Sequence, residues 1–187
     1  MVDLFSLNYS VYFWLMGDVN TALEKKWFVF YTKSRAEKKT LEYLQKFGFE
    51  AWLPMHKVVR QWSDRKKKLE VPLFNSYIFV KDIEANIQEI VKVPGISWNI
   101  RHNERPAILR ESELQTIQRF LASGLTIEIG SSQNLEKGDK VQVMDGPLKG
   151  VVGFLSGAFN EQKFTIEMET IDQVMKVNVD KGLLKKI

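Results

Sequence analysis

The sequence of 187 residues contains no cysteine and only two histidines, His56 and His102. Without thiols, a thiolate nucleophile, a zinc ribbon and a disulfide framework are all excluded, and the composition favours a reducing cytoplasm. Neither histidine lies near a second metal-type ligand, and His56, beside Pro54, is read as structural. No Gly-rich phosphate loop, nucleophile elbow or acid and base carboxylate spacing occurs. We therefore expect no enzyme activity, catalytic residue, metal site or cofactor.

The chain also lacks a hydrophobic run that could span a membrane. Its apolar stretch at residues 4–16 has 13 residues, whereas a membrane-spanning helix needs about 20. No Lys or Arg precedes this stretch and no small-residue cleavage site follows it, which disfavours a secretory signal. We expect residues 1–25 to be a disordered extension or a start-site artefact, with Met16 as a natural start and residues 1–15 dispensable. The alternative is an anchor to a membrane or a partner.

The excess of positive over negative charge is confined to one part of the chain. The formal net charge is +4, and residues 26–122 carry 18 Lys and Arg against 11 Asp and Glu, whereas residues 134–187 carry 8 against 8. A cationic surface adds binding to polyanions by neutralising phosphates. The first part is therefore expected to work near a polyanion, and simple solubility is the alternative.

Residues 26–122 show alternating strand and helix signals. A strand is predicted at 27–32, followed by a helix that Ser34 and Glu37 would cap as a capping box and Gly48 would end. Residues 49–59 and 69–80 read as the strands of a long hairpin with its loop at 60–68. A short helix at 84–91, a strand at 96–100 and an amphipathic helix around 114–121 complete this domain.

The rest of the sequence changes character. Residues 123–133 contain Gly124 and Gly130 without sustained periodicity and are predicted to be a linker. Residues 134–187 show about five short strands and no helix signal, which is typical of a small barrel. A second domain, a small β-barrel, is therefore predicted after the linker.

The second domain closely resembles the KOW motif. Gly146-Pro147 would make a tight turn, Gly150 would take a positive backbone dihedral, and Gly153 would allow close approach of a neighbouring strand. The KOW motif also occurs in ribosomal and other RNA-associated proteins, so the first domain sharpens the assignment. The matching residues are Gly138, Asp139, Val141, Gly146, Pro147, Lys149, Gly150 and Gly153.

The first domain resembles the NusG N-terminal (NGN) domain from Trp27-Phe28-Val29 to Val93-Pro94-Gly95-Ile96. The order of NGN domain, linker and KOW domain resembles the NusG family over residues 26–187. The resemblance implies an α+β fold class: an antiparallel sheet flanked by helices, followed by a small SH3-like β-barrel. One departure is Phe74-Asn75-Ser76-Tyr77, where the family commonly has Phe-Pro-Gly-Tyr or Phe-Pro-Asn-Tyr. This departure speaks against the housekeeping member, and the compact hairpin with its strand Tyr77-Ile78-Phe79-Val80 resembles the specialised RfaH and UpxY types.

The resemblance implies contacts with RNA polymerase. An apolar depression that receives the β′ clamp helices would contain Tyr31, Phe74, Tyr77 and Phe79. Aromatic side chains suit such a site because they bury large area with little loss of entropy. Alternatively, these rings are core. A second contact, to the β gate loop, would involve Asn86, Gln88 and Glu89, although polar residues on a short helix are usually its solvated face.

The hairpin tip combines cations with one aromatic ring. A soluble loop would also have this composition, but the confined positive charge favours contacts with phosphates, with Trp62 stacking on a base or anchoring the loop. We therefore expect nucleic acid of the elongation complex to bind here, without sequence readout. The residues are Arg60, Trp62, Arg65, Lys66, Lys67 and Lys68.

The resemblance implies a cytoplasmic, monomeric elongation factor that acts as an antiterminator on a long polysaccharide operon. A housekeeping factor, whose KOW domain engages Rho or the ribosomal protein S10, is one alternative. A ribosome-associated RNA-binding KOW protein is another, which the aromatic strand pair of the first domain disfavours. No membrane partner is expected.

Overall fold

The computed structural model describes residues 24–61, 66–133, 135, 137–157 and 163–187. These residues form two compact units. The first comprises the described part of Met1–Trp52 together with Ile78–Ile108, and the second comprises the described parts of Leu53–Tyr77 and Leu109–Ile187. Residues 1–23 of the predicted extension lie outside the described residues.

The first unit is built on a four-stranded sheet in the order β2-β5-β1-β6. Two helices and a two-stranded ribbon accompany this sheet. Its buried apolar side chains include Phe28, Phe30, Val80 and Ile90. The elements are β1 (Lys26–Thr32), α1 (Glu37–Lys46), β2 (Glu50–Trp52), β5 (Tyr77–Asp82), α2 (Ile87–Val91), β6 (Ile96–Asn99), β7 (Arg101–His102) and β8 (Arg105–Pro106).

Helix α1 starts differently from the prediction. The N-cap is Ala36, without a side-chain cap, so the predicted capping box at Ser34 is wrong. The amide of Ala36 donates to the carbonyl of Lys33 at 3.1 Å, which closes a turn and places Ser34 before the helix instead of at its cap. The predicted end is confirmed, because Gly48 has a φ of 85°, where glycine is favoured.

The hairpin begins the second unit, and its strands are shorter than predicted but reach further towards the tip. Strands β3 (Met55–Gln61) and β4 (Lys66–Pro72) pair from Met55↔Pro72 to Gln61↔Lys66. The predicted loop at 60–68 is therefore too long, because Lys66, Lys67 and Lys68 belong to a strand. The predicted strands at 49–59 and 69–80 are each broken: Leu53 and Pro54 separate β2 from β3, and residues 73–76 turn before β5.

The turn before β5 contains Ser76 in the left-handed region, with a φ of 63°. The amide of Tyr77 donates to the carbonyl of Phe74 at 3.4 Å across this turn. Serine adopts this conformation less readily than glycine or asparagine. Phe74-Asn75-Ser76-Tyr77 therefore forms a turn inside the predicted strand 69–80, with a serine in its strained position.

The second unit also contains a helix and a six-stranded antiparallel sheet. The helix is α3 (Glu111–Ala122), and the sheet has the order β14-β10-β11-β12-β13-β9. This mixture of antiparallel sheets and few helices confirms the predicted fold class. The strands are β9 (Glu128–Ser131), β10 (Lys140–Val143), β11 (Val152–Ser156), β12 (Lys163–Met168), β13 (Gln173–Val177) and β14 (Leu184–Lys186).

Part of the predicted linker is a strand. Residues 128–131 form β9, which pairs with β13 from Ser131↔Gln173 to Glu128↔Lys176. The composition of 123–133 concealed this strand because its pairing partner lies more than 40 residues away in the chain. Residues 128–131 of the predicted linker thus belong to the sheet, and the linker bounds stay a prediction.

The KOW glycines have the predicted geometry. Gly150 has a φ of 81°, and its amide donates to the carbonyl of Val143 at 2.7 Å, which closes the turn between β10 and β11. A Cβ on Gly153 would lie 2.5 Å from the carbonyl oxygen of Thr165 and 2.9 Å from the Phe164 ring. Both roles predicted from the motif are confirmed.

Helix α3 is bonded to the six-stranded sheet of its unit. The carboxylate of Glu113, which is buried, accepts from the amide of Thr170 at 3.2 Å and from its hydroxyl at 2.5 Å. Phe120 stacks on Phe164 with ring centroids 6.5 Å apart. The hairpin and α3, assigned to the first domain from sequence, thus belong to the second compact unit. The domain boundaries 26–122 and 134–187 stay a prediction about independently folding segments.

Candidate functional site

An aromatic row crosses the sheet of the first unit. Trp52 on β2 lies opposite Phe79 on β5, with ring centroids 5.6 Å apart. The Trp52 ring also meets Trp27 on β1 edge to face at 6.3 Å. Because side chains alternate along a strand, Tyr31 shares the face of Trp27. The row thus connects three adjacent strands.

The row ends in a stacked pair on the edge strand. Tyr31 is opposite Trp98 of β6, and their rings stack with centroids 4.7 Å apart and planes 14° apart. Trp98 is 53% exposed and Tyr31 is half-buried. Exposed aromatic rings held in a fixed orientation are typical of binding hot spots. We call Trp27, Tyr31, Trp52, Phe79 and Trp98 the aromatic row.

The four rings predicted to bind polymerase occupy different environments. Phe79 and Phe74 are buried, with 0% and 1% exposure. Tyr77 is half-buried, and its hydroxyl donates to the carbonyl of Ile171 at 3.4 Å within the second unit. Of these four, Tyr31 and Phe79 share the aromatic row. Their role in binding polymerase stays a prediction.

Sequence reasoning missed three residues of the row. Trp27 and Trp52 were placed on strands but given no role, and Trp98 was not singled out. The alternation of side chains along β1 could have placed Trp27 on the same face as Tyr31. No local signal, however, indicates that residues 52 and 98 face the same side of one sheet. The row depends on strand order, which the sequence pattern did not contain.

The second predicted contact lies at the start of α2. Asn86 donates to the carboxylate of Asp82 at 3.1 Å, and Asp82 also accepts from the amide of Ile83. Glu89 pairs with Lys92 at 2.7 Å, and Gln88 is exposed. Asn86 is thus held by its own turn. The three residues are brought together, and their contact with polymerase stays a prediction.

A groove of about 320 Å³ adjoins Glu89 in the first unit. Phe47, Phe49 and Val93 supply its apolar lining, and Glu89 and Lys92 lie beside them. Phe47, which follows α1, is 57% exposed. Glu89 and Lys92, the polar residues of and after α2, therefore lie beside an apolar groove.

The predicted nucleic-acid residues lie on the hairpin. Arg60 and Lys67 are directly opposite each other in the ladder, and the side chains of Lys67 and Lys68 are exposed. Trp62 and Arg65 lie outside the described residues. The structure thus collects the described cations near the far end of a two-stranded ribbon, and phosphate contact stays a prediction.

The KOW residues hold the turn between β10 and β11 and the edge of the sheet. Val141 is buried, and Asp139 pairs with Lys186 at 2.7 Å. The guanidinium of Arg119 on α3 donates to the carbonyl oxygens of Pro147 and Lys149. The motif thus forms a rigid turn that is attached to α3.

His56 lies in the second unit at the base of the hairpin, opposite Val71. Burial lowers the pKa of its imidazole because the charged form loses hydration. It lines a cavity of about 320 Å³ together with Met55, Glu70 and Leu125. In the described ranges, no three His, Asp or Glu side chains come together in a group that could hold a metal ion.

These features define a two-unit protein in which one sheet presents an aromatic face and a second unit presents a basic hairpin and a barrel-type sheet. The family model described as "Transcription termination factor nusG" matches residues 25–118, half of the chain. The chain therefore belongs to the NusG family.

Two curated relatives agree with this assignment. A "Transcription termination/antitermination protein NusG" of Rickettsia felis is 29% identical over 140 residues, covering 69% of this chain and 72% of the relative. A protein of the same description from Streptococcus pyogenes serotype M3 is 26% identical over 146 residues, covering 71% and 80%.

A solved structure shows the same fold. The structure described as "Domain interaction in Thermotoga maritima NusG" has a TM-score of 0.52 and 20% sequence identity, covering 88% of this chain and 98% of that chain. The C-terminal six-stranded sheet fits the KOW domain of this family. Separately, none of the described helices has the length and apolar character needed to cross a bilayer.

Proposed function

We propose that the chain binds bacterial RNA polymerase through the aromatic row and acts on transcript elongation. The observation that carries this proposal is the stack of half-buried Tyr31 on exposed Trp98, on the sheet that also holds the ring cluster of Trp27, Trp52 and Phe79. Such a row offers large apolar area in a fixed geometry, so little conformational entropy is lost on binding. Membership of the NusG family supports polymerase as the partner.

The decisive measurement separates binding from folding. Trp98→Ala should weaken polymerase binding by roughly 2–4 kcal/mol, the range of hot-spot aromatics, with an unchanged thermal midpoint, because Trp98 is 53% exposed. Tyr43→Ala, a half-buried aromatic on α1, is the matched control and should bind normally. Normal polymerase affinity for Trp98→Ala would contradict the proposal.

The buried ring of the row is tested in the same way. Phe79→Ala should lower both polymerase affinity and the thermal midpoint, because Phe79 is buried and its removal leaves a cavity. Tyr31→Ala should lower affinity more than stability. If both variants melt early yet bind polymerase normally while folded, these rings are core only.

Two further contacts belong to the proposal. The β′ clamp helices would contact the aromatic row, and they would also contact Phe74 and Tyr77. The β gate loop would contact Asn86, Gln88 and Glu89, of which Glu89 lies beside the Phe47 groove. The hairpin cations would contact nucleic acid of the elongation complex. Gln88→Lys with Glu89→Lys should weaken only the second contact.

We infer that the activity is antitermination of the specialised type, on a long operon such as one for polysaccharide synthesis. Ser76 in the turn before β5, where the family commonly has glycine or asparagine, and the compact hairpin support this subclass. In transcription with purified polymerase and Rho, the protein should increase readthrough of a Rho-dependent terminator. Increased termination would instead identify the housekeeping activity.

A further inference from the structure

Three neighbouring strands of the second unit present one outer face. Gln142 of β10 lies opposite Lys185 of β14 and Val152 of β11, so these three side chains point to the same side. The same register continues at both ends: the amide of Met144 donates to the carbonyl of Leu183 at 2.8 Å, and the amide of Ile187 donates to the carbonyl of Lys140 at 3.0 Å. We call this surface the β14–β10–β11 face.

This face collects exposed apolar side chains. Met144, Val152, Leu183 and Ile187 are 44%, 40%, 36% and 56% exposed, and they are four of the eight large exposed hydrophobic residues in the described part of the chain. Apolar residues scattered singly over a surface need no explanation, whereas a contiguous group indicates an interaction site. Here all four share one face of three strands: Met144 is next to Leu183 and diagonal to Val152, and Lys185 separates Leu183 from Ile187.

Two lysines lie among these apolar side chains: Lys185 of β14 is between Leu183 and Ile187, and Lys140 of β10 is opposite Ile187. Lys140 and Lys185 are exposed, and neither forms an ion pair with another described residue. A partner with negative charge would gain attraction from both lysines. A second copy of this chain would bring like charges together, because a two-fold interface places the same patch on both sides.

The chemistry of the face favours protein over nucleic acid. Its four exposed apolar side chains are aliphatic, and the ring on this side, Phe154, is half-buried and carries the Lys137 ammonium 5.2 Å from its centroid. Single-stranded nucleic acid needs open rings on which bases stack. The face extends over about four residues along each strand and over three strands, so it measures about 13 by 10 Å. This area accommodates about two to three turns of helix.

We propose that the β14–β10–β11 face binds an acidic amphipathic helix of a partner protein. The aliphatic side chains receive the apolar stripe of the helix, and Lys140 and Lys185 receive its carboxylates. This interaction is separate from the polymerase contact and does not depend on it.

The test uses the full chain and a defined peptide. The probe is a fluorescent helical peptide of about 14 residues, with leucines at i, i+3, i+4 and i+7 spacing and glutamates elsewhere. Its control replaces every glutamate by lysine. We expect the acidic peptide to bind at least about tenfold more tightly, because the face carries unpaired lysines.

Variants locate the site. Lys140→Glu with Lys185→Glu should weaken the acidic peptide about tenfold or more, and so should Met144→Ser with Leu183→Ser. Lys46→Glu with Phe47→Ser, an exposed cation and ring next to α1, is the control and should bind as the wild type does. The two double variants of the β14–β10–β11 face should keep the wild-type affinity for polymerase and the wild-type thermal midpoint.

Three results would overturn the proposal. The first is no preference for the acidic peptide, and the second is equal loss of peptide binding in the α1 control. The third is binding of a single-stranded uridine RNA of about 12 nucleotides that depends on Lys140 and Lys185 while the acidic peptide does not bind, which would make the face an RNA site.

Discussion

At the scale of single residues, Ser76 combines a buried side chain with a φ of 63°. We compare Ser76→Gly with Ser76→Ala, which both remove the hydroxyl. Only glycine relieves the left-handed strain of about 1–2 kcal/mol, and its extra chain entropy offsets about 0.5–1 kcal/mol. The free energy of unfolding, measured by urea titration, should therefore be about 1 kcal/mol higher for the glycine variant than for the alanine variant. Equal stabilities would show that the turn is unstrained.

His56 should make the stability of the second unit depend on pH. Burial lowers the pKa of the folded imidazole below its usual 6.5, so the unfolded chain binds more protons between the two pKa values. The free energy of unfolding should therefore be highest above pH 6.5 and fall as the pH decreases towards the folded pKa.

His56→Gln should lose this part of the pH dependence. His102→Gln, at the exposed histidine of β7, is the control and should retain it. Urea titrations between about pH 5 and 7.5 give the comparison. If both variants lose the same slope, His56 is not its source.

At the scale of elements, the hairpin should contribute a salt-dependent part of binding to an elongation complex. Each phosphate contact on duplex DNA changes the slope of log K against log salt by about 0.9. Changing Arg65, Lys66, Lys67 and Lys68 together to Ala should flatten that slope. Lys38, Lys39, Lys46 and Lys92 provide a control with the same charge change on or beside helices α1 and α2.

The single variants refine this test. Lys67 and Lys68 are consecutive in β4, so their side chains leave opposite faces of the hairpin. One face can contact a duplex at a time, and one of the two single alanine variants should reduce the slope by about 0.9 while the other leaves it unchanged. A quadruple variant with an unchanged slope would leave the hairpin as a solvated element.

Sequence patterns found most strands and helices because their signals are local. Strand β1 and helices α2 and α3 lie close to the predicted positions, and the KOW turn has the glycine geometry that its motif predicts. The patterns failed where distant segments decide. Strand β9 depends on β13, and the aromatic row depends on the order of four strands. The capping box failed because a local turn displaced Ser34.

At the scale of the whole molecule, Glu113 should couple α3 to the six-stranded sheet. Its carboxylate accepts from the amide of Arg110 at 3.1 Å as well as from Thr170. Hydrogen bonds to a charged group contribute about 1.5–3 kcal/mol each. Glu113→Gln should therefore lower the free energy of unfolding of the second unit by a few kcal/mol.

The control for this coupling keeps the shape of the partner. Thr170→Val removes the hydroxyl alone and should cost less than Glu113→Gln, because the amide of Thr170 still donates. Amide exchange should show α3 and the strands of the sheet losing protection together in the wild type. If α3 exchanges freely while the sheet stays protected, the helix is an independent element.

The bond between Glu113 and Thr170 also has a consequence for synthesis of the chain. The two residues are 57 positions apart, and a ribosome adding about 5–20 residues per second needs about 3–11 s to add that many residues. During that interval, α3 has been translated but the turn that contains Thr170 has not. All strands of the first unit, whose residues end at Ile108, are translated before this interval begins. The nascent chain should therefore acquire its aromatic row several seconds before its second unit can close.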